Sequence, residues 1–265
     1  MEGIADYRFT EELGAGNHGR YFLAPAPERL GLGDVTVAVK VLDRRASESD
    51  FKRVANELRI FHAVESDHLV EVHDAGYADG VLFYAMRYYP DGSLERPARE
   101  LSETERAALV AGAARGAHDL HEVGVVHRDV KPANILIDGT TARLTDLGLA
   151  RLLSPGMTST GIGPIGSIEF MSPQAILGER ASRATDIWAL GVTLHRVLTD
   201  EPIYGAIPDG NVMDAFTHVL RTPPQVSERL PERYRPVVER CLRRGAAFTT
   251  AAELADEIDA IASVA

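Results

Sequence analysis

The chain holds a single cysteine, Cys241, in 265 residues. One thiol cannot close an intrachain disulfide, which excludes a disulfide-stapled scaffold, and its neighbours supply no zinc-ligand spacing. Cys241 reads instead as a small buried residue. Positive charge is also short: 28 Lys and Arg stand against 39 Asp and Glu, a formal net charge of -11. Such a chain repels polyphosphate backbones at long range, so no nucleic-acid partner is expected. No apolar run reaches the roughly 20 residues needed to cross a bilayer. The acidic start Met1-Glu2-Gly3 does not read as a signal peptide, and a reducing cytoplasm is the expected setting. Internal repeats and low-complexity tracts are lacking too, which argues against a solenoid or a disordered linker.

What is present is ordinary globular material, 45% hydrophobic and 25% charged, long enough for one large domain or two small ones. The first third reads as strands around one helix. Tyr7 to Leu13, Arg20 to Ala24 and Val35 to Leu42 are strand-like, with an exposed Pro/Gly loop from Pro25 to Gly33 between the last two. Phe51, Val54, Leu58 and Phe61 recur at helical spacing after the capping residues Ser47 to Asp50. Leu69 to His73 and Val81 to Met86 complete the strands. Beyond the hinge-like Tyr89-Pro90-Asp91-Gly92 the chain is mostly helical. Ser102-Glu103-Thr104-Glu105 and Thr250-Ala251-Ala252-Glu253 are capping boxes. A hairpin is expected around Asp138-Gly139, and Ile187 to Leu198 is apolar nearly all round, as a central helix would be.

Three strings carry chemistry. Leu13-Gly14-Ala15-Gly16-Asn17-His18-Gly19 lies between two strands, where glycines allow tight turning and close approach to phosphate oxygens; a plain glycine-rich hairpin reads equally well. A dinucleotide-binding turn would need a helix next, but Tyr21-Phe22-Leu23 is strand-like. Val37-Ala38-Val39-Lys40 puts Ala38 and Lys40 on one strand face. A lysine buried there requires an anion, and Glu57 on the following helix is the natural partner; the alternative is a lysine that snorkels to solvent. The third string is Val126-His127-Arg128-Asp129-Val130-Lys131-Pro132-Ala133-Asn134-Ile135-Leu136, followed by Leu144-Thr145-Asp146-Leu147-Gly148. Oxygen ligands from Asn134 and Asp146 suit magnesium. Asp129 can orient or deprotonate a hydroxyl, while Lys131 neutralises charge on a transferred phosphoryl group.

In this order the strings resemble the signature set of protein kinases, from about Tyr7 to Ile261, and they are most similar to the eukaryotic-like Ser/Thr kinases of bacteria. The resemblance implies an α+β, bilobal fold, with a β-rich N-lobe over residues 1–88 and a mainly helical C-lobe over 89–265. It implies ATP and Mg²⁺ as cofactors, a protein substrate with a Ser or Thr acceptor, and possible dimerisation for autophosphorylation. Gly14, Gly16 and Gly19 would cover the phosphates, Lys40 would bind them, and Glu57 would hold Lys40. Leu13 and Ala38 would lie above adenine and Leu136 below it, with Met86 as gatekeeper and Arg87-Tyr88 as hinge. Asp129 would be the catalytic aspartate with Lys131 beside it, and Asn134 and Asp146 the metal ligands. Asp186, opening the central helix, would anchor the catalytic-loop backbone. His127, Leu147 and Phe61 would stack as a spine. Thr158 and Thr160 fall in a segment resembling an activation loop, where a phosphate would meet Arg128.

Three departures stand out. Tyr21 replaces the usual valine over adenine, which leaves a non-catalytic, pseudokinase-like binding module as the rival reading. Leu147 replaces a phenylalanine. Gln174 stands where the family has Glu, and the stretch Cys241 to Phe248 lacks the matching arginine. Losing one partner of a buried ion pair is costly whereas losing both can be neutral, so a joint replacement is expected.

Overall fold

The computed structural model describes residues 2–16, 19–45, 63–146, 165–208, 210–243 and 248–263. The described chain forms two compact units. Of the described residues, one unit holds those up to Glu65 with Val70–Tyr89, and the other holds Ser66–Leu69 and those from Pro90 onward.

The first unit is a sheet. A small hairpin, β1 (Gly3–Ile4) and β2 (Tyr7–Arg8), precedes β3 (Glu11–Gly16), β4 (Gly19–Pro25), β5 (Thr36–Arg45), β6 (Val72–Ala78) and β7 (Val81–Arg87). The last five pair antiparallel in the order β3-β4-β5-β7-β6. Period-two alternation in β5 sends Val37 and Val39 into a core with Ile4, Tyr7, Ala24, Phe83 and Ala85, which leaves Ala38 and Lys40 on the opposite face.

One expectation changes here. The strand expected over Tyr7 to Leu13 is split: β2 pairs with β1 and β3 with β4, and between them Phe9 stacks on Phe22 with ring centres 4.1 Å apart. The Pro25 to Gly33 loop carries a 3-10 turn, Glu28–Leu30. Its Arg29 pairs with Asp6 and Asp74, and Asp74 also accepts a 2.7 Å bond from the Tyr7 hydroxyl. That loop therefore ties the N-terminal hairpin to β6.

The second unit is helical around one hairpin. Helix α1 (Glu103–Glu122) opens on the expected capping box: Ser102 Oγ accepts from the Glu105 N–H at 3.2 Å, and the Glu105 carboxylate accepts from the Ser102 N–H at 2.8 Å. Its glycines permit close packing. A Cβ on Gly116 would lie 2.5 Å from the His68 carbonyl oxygen, so a side chain there would push the helix off residues 66–69. Those residues continue into a single parallel bridge between Leu69 and Leu144, and β6 begins only at Val72, later than the Leu69 start expected from sequence.

Strands β8 (Ile135–Asp138) and β9 (Thr141–Leu144) pair Asp138 with Thr141. The turn is thus centred on Gly139-Thr140, one residue later than expected, and Gly139 takes the positive φ of 65° that this position requires. After a short α2 (Pro173–Ile176), α3 (Arg183–Thr199) runs through the unit, buried on every side from Asp186 to His195. Helices α4 (Val212–Arg221), α5 (Arg235–Cys241) and α6 (Ala251–Ala262) complete it. The box expected at Thr250 is half formed: Thr250 Oγ1 accepts from the Glu253 N–H at 3.1 Å, but the Glu253 carboxylate turns to the Thr249 N–H at 2.9 Å and to Arg240. No described helix is long and apolar enough to cross a membrane.

Candidate active site

In the first unit, the glycine string forms the β3–β4 hairpin, with Gly16 opposite Gly19. This is the strand-flanked form rather than a turn into a helix. Gly14 has φ 133°, and a Cβ on Gly19 would meet the Val41 carbonyl oxygen at 2.4 Å; at both positions only glycine fits without strain. Leu13 is exposed beside them.

Cross-strand neighbours point to the same sheet face, and the register builds two ladders. Tyr21, Lys40 and Tyr84 form one; Leu23, Ala38 and Met86 form the next. Lys40 is only 3% exposed, so it does not snorkel. Its ammonium lies 4.9 Å from the centre of the Tyr21 ring, a desolvated cation on an aromatic face. Met86 is buried, Arg87 is exposed with its guanidinium 5.4 Å from the Tyr89 ring centre, and Tyr88 is half-buried.

The second unit holds the rest. Asp186, at the start of α3, is buried and accepts three hydrogen bonds: from the His127 and Arg128 backbone N–H groups at 2.8 Å each, and from His121 Nε2 at 2.8 Å. These bonds hold Arg128 at a φ of 72°, a conformation that a residue with a side chain takes only when its surroundings impose it. His127 links the two acidic segments. Its Nε2 donates to the Thr145 carbonyl at 2.9 Å and its Nδ1 accepts from the Asp129 N–H at 3.4 Å. With one nitrogen donating and the other accepting, the ring is neutral, and burial accordingly pushes its pKa below the ordinary histidine value.

Asp129 itself is half-buried. Its Oδ2 accepts from Lys131 Nζ at 2.7 Å and from Asn134 Nδ2 at 2.9 Å, and Nδ2 also donates to the Asp129 carbonyl at 2.7 Å. Lys131 Nζ reaches Ser167 Oγ at 3.3 Å. Asp146, next to Thr145, has φ 60°. Leu136 lies on β8, half-buried, bridged to Ser93. Glu57, Phe61, Leu147, Thr158 and Thr160 lie outside the described residues. Sequence reasoning passed over His121, Tyr84, Ser167 and the buried Glu169, because no local pattern distinguishes them from core or loop residues.

The protein kinase domain family matches residues 7–247. The chain belongs to the protein kinase family. As a kinase domain it is of the bacterial, eukaryotic-like Ser/Thr type. It is 34% identical over 238 residues to the serine/threonine-protein kinase PknJ of Mycobacterium tuberculosis, covering 86% of this chain and 40% of that protein. It is 31% identical to the serine/threonine-protein kinase PkaA of Streptomyces coelicolor, covering 90% of this chain and 46% of that protein. The kinase domain thus spans less than half the length of these curated relatives. Among solved structures, the kinase domain of Mycobacterium tuberculosis PknI, in a point-mutant form, matches with a TM-score of 0.72 and 25% identity, covering 98% of this chain and 96% of that one.

Protein kinases use ATP and magnesium generally, and the donor set here fits a hard cation. Asn134 turns its amide nitrogen toward Asp129, which leaves its carbonyl oxygen to face the other way, and Asp146 would supply a carboxylate. Among the described residues no group of three or more His, Cys, Asp or Glu side chains forms a metal cage. Magnesium needs none, since it takes one or two protein oxygens and fills its shell from phosphates and water.

Proposed function

We propose that this kinase domain transfers the γ-phosphate of ATP to a Ser or Thr hydroxyl of a protein. The observation that carries this reading is the Asp129–Lys131–Asn134 cluster, held on its backbone by Asp186. Both side-chain bonds to Asp129 go to Oδ2, so Oδ1 is available to accept from an incoming hydroxyl and set its line of attack. Lys131 carries its charge beside that oxygen, where it can offset negative charge gathering on the transferred group. Asn134 and Asp146 would hold magnesium, which when bound supplies charge neutralisation between the phosphates. Lys40 would bind the nucleotide phosphates, with Gly14, Gly16 and Gly19 covering them, Glu57 steadying the lysine, and Leu13, Ala38, Met86, Arg87, Tyr88 and Leu136 lining the base. Catalysis of this kind is mostly positioning and electrostatics.

Arg128 is proposed to receive a phosphate on Thr158 or Thr160. Mass spectrometry after incubation with ATP should find one of them modified, and an unmodified chain would remove that part of the reading. The transfer reaction is tested with magnesium, radiolabelled ATP and a generic basic protein. Label should enter the acceptor with the unaltered chain and vanish with Asp129→Asn while nucleotide binding persists. Nucleotide binding with no transfer by the unaltered chain would refute the reading in favour of a binding module.

A further inference from the structure

Glu169 is a buried carboxylate, 2% exposed, in an apolar neighbourhood that includes Ile168, Phe170, Ile203 and Tyr204. Burial pushes its pKa above the usual carboxylate range, while Arg196 and a backbone N–H pull it back. The two partners are specific. Arg196 of α3 approaches Oε2 at 3.1 Å, and the Ile203 N–H donates to Oε1 at 3.0 Å. A buried ion pair contributes little net stability compared with well-packed apolar residues, and its best-attested use is to fix one arrangement among several.

The arrangement it fixes is informative. Glu169 lies on the 3-10 segment Ile165–Phe170, where three residues make a turn and successive side chains point in three directions. Ser167 points to Lys131 Nζ at 3.3 Å, Ile168 is fully buried in the core against Trp188 and Phe216, and Glu169 points to Arg196 and Ile203. Rotating or sliding the segment breaks all three contacts together. Lys131 in turn touches Asp129 Oδ2.

We infer that Glu169, clamped by Arg196 and the Ile203 N–H, is a positioning residue for phosphoryl transfer: it fixes the 165–170 segment so that Ser167 stays against Lys131 and Lys131 against Asp129. The inference rests on the proposed function. Glu169 bonds to Arg196 and the Ile203 N–H and not to Asp129 or Lys131 themselves. Its effect reaches the reaction through a lysine whose displacement by about 1 Å is enough to cost up to a hundredfold in rate.

The test is steady-state phosphorylation of a Ser/Thr-containing basic protein by the full chain, with rates corrected for folded fraction. Glu169→Gln keeps an acceptor for the Ile203 N–H but loses the charge facing Arg196. Arg196→Met removes the cation but leaves the buried Glu169 carboxylate without it, so Glu169→Gln, which strands only a partly exposed arginine, serves as the better-folding variant. Each should lower kcat about tenfold, with the KM for ATP unchanged within about twofold. Arg196→Lys should restore most of the rate, and the double variant should be no worse than either single one, since both break one contact. A fall in melting temperature with kcat per folded molecule unchanged would overturn the inference and leave a purely structural pair. Failure of the unaltered chain to transfer phosphate would overturn the proposed function and this inference with it; transfer that ignores Glu169 and Arg196 overturns the inference alone.

Discussion

Replacing Asp186 by Asn changes one oxygen into an NH2 group and little else in shape, yet all three hydrogen bonds at that carboxylate arrive from donors. Oδ2 receives the His127 N–H and His121 Nε2, and Oδ1 receives the Arg128 N–H. An asparagine can keep its oxygen on the side with two donors, which turns its own NH2 against the Arg128 N–H. The loss is then one charge-assisted bond, about 1.5–3 kcal/mol, together with a buried amide left without an acceptor, about 1–3 kcal/mol. Relaxation of Arg128 from its φ of 72° returns part of this, since such strain is worth about 1–3 kcal/mol. A net destabilisation of about 3 kcal/mol is expected, within the roughly 5–15 kcal/mol that a domain possesses, so the variant should still fold. Trp188, the only tryptophan, sits buried two residues away on α3, and its fluorescence in urea reads the unfolding of that unit. Phosphate transfer should fall at least about a hundredfold, because the loop that carries Asp129 loses its anchor. A urea midpoint equal to that of the unaltered chain would refute the reasoning, since the three bonds would then carry no net energy.

Two further outcomes follow from buried groups in the same unit. His195 accepts the Ser227 N–H on Nε2 at 3.0 Å and is neutral, with burial lowering its pKa to about 4. Its folded pKa lies below the unfolded value of 6.5, so its contribution is fully present above pH 6.5 and is lost as pH falls from there through 4. At about 1.4 kcal/mol per pKa unit this amounts to roughly 3 kcal/mol. His195→Gln, which keeps an acceptor for Ser227, should flatten the dependence of the urea midpoint between pH 7 and 4.5, and an unchanged slope would contradict the assignment. Gly191 is where α3 meets α5, and a Cβ there would lie 2.3 Å from Cys241 Cβ. Gly191→Ala should therefore cost about 1–3 kcal/mol by overpacking, seen as a fall of several degrees in the melting temperature; an unshifted transition would mean that the two helices do not close on each other.

The sequence by itself determined whatever depends on neighbours along the chain. The alternation in Val37-Ala38-Val39-Lys40 assigns two faces because a strand has period two, and the Ser102 box starts α1 because its partner is three residues away. The 126–136 string is legible as a candidate site because its polar groups are contiguous, so Asp129, Lys131 and Asn134 meet within one short loop. The anchoring role expected of Asp186 also appears in the geometry, although that expectation came from family resemblance and not from spacing.

Tertiary structure decided the pairings between distant residues, which no local rule can specify. Tyr21 comes to rest on Lys40 only because β4 and β5 adopt one register out of several, and a one-residue slip would send the ring to the other face. Leu69 leaves its expected strand to bridge Leu144, and Glu253 abandons the Thr250 N–H for Thr249 and Arg240. A buried ion pair that sequence did not offer forms between Glu169 and Arg196. A buried charge must find its partner in space, and which partner lies within reach is settled by how helices and loops pack, after the local patterns have done all they can.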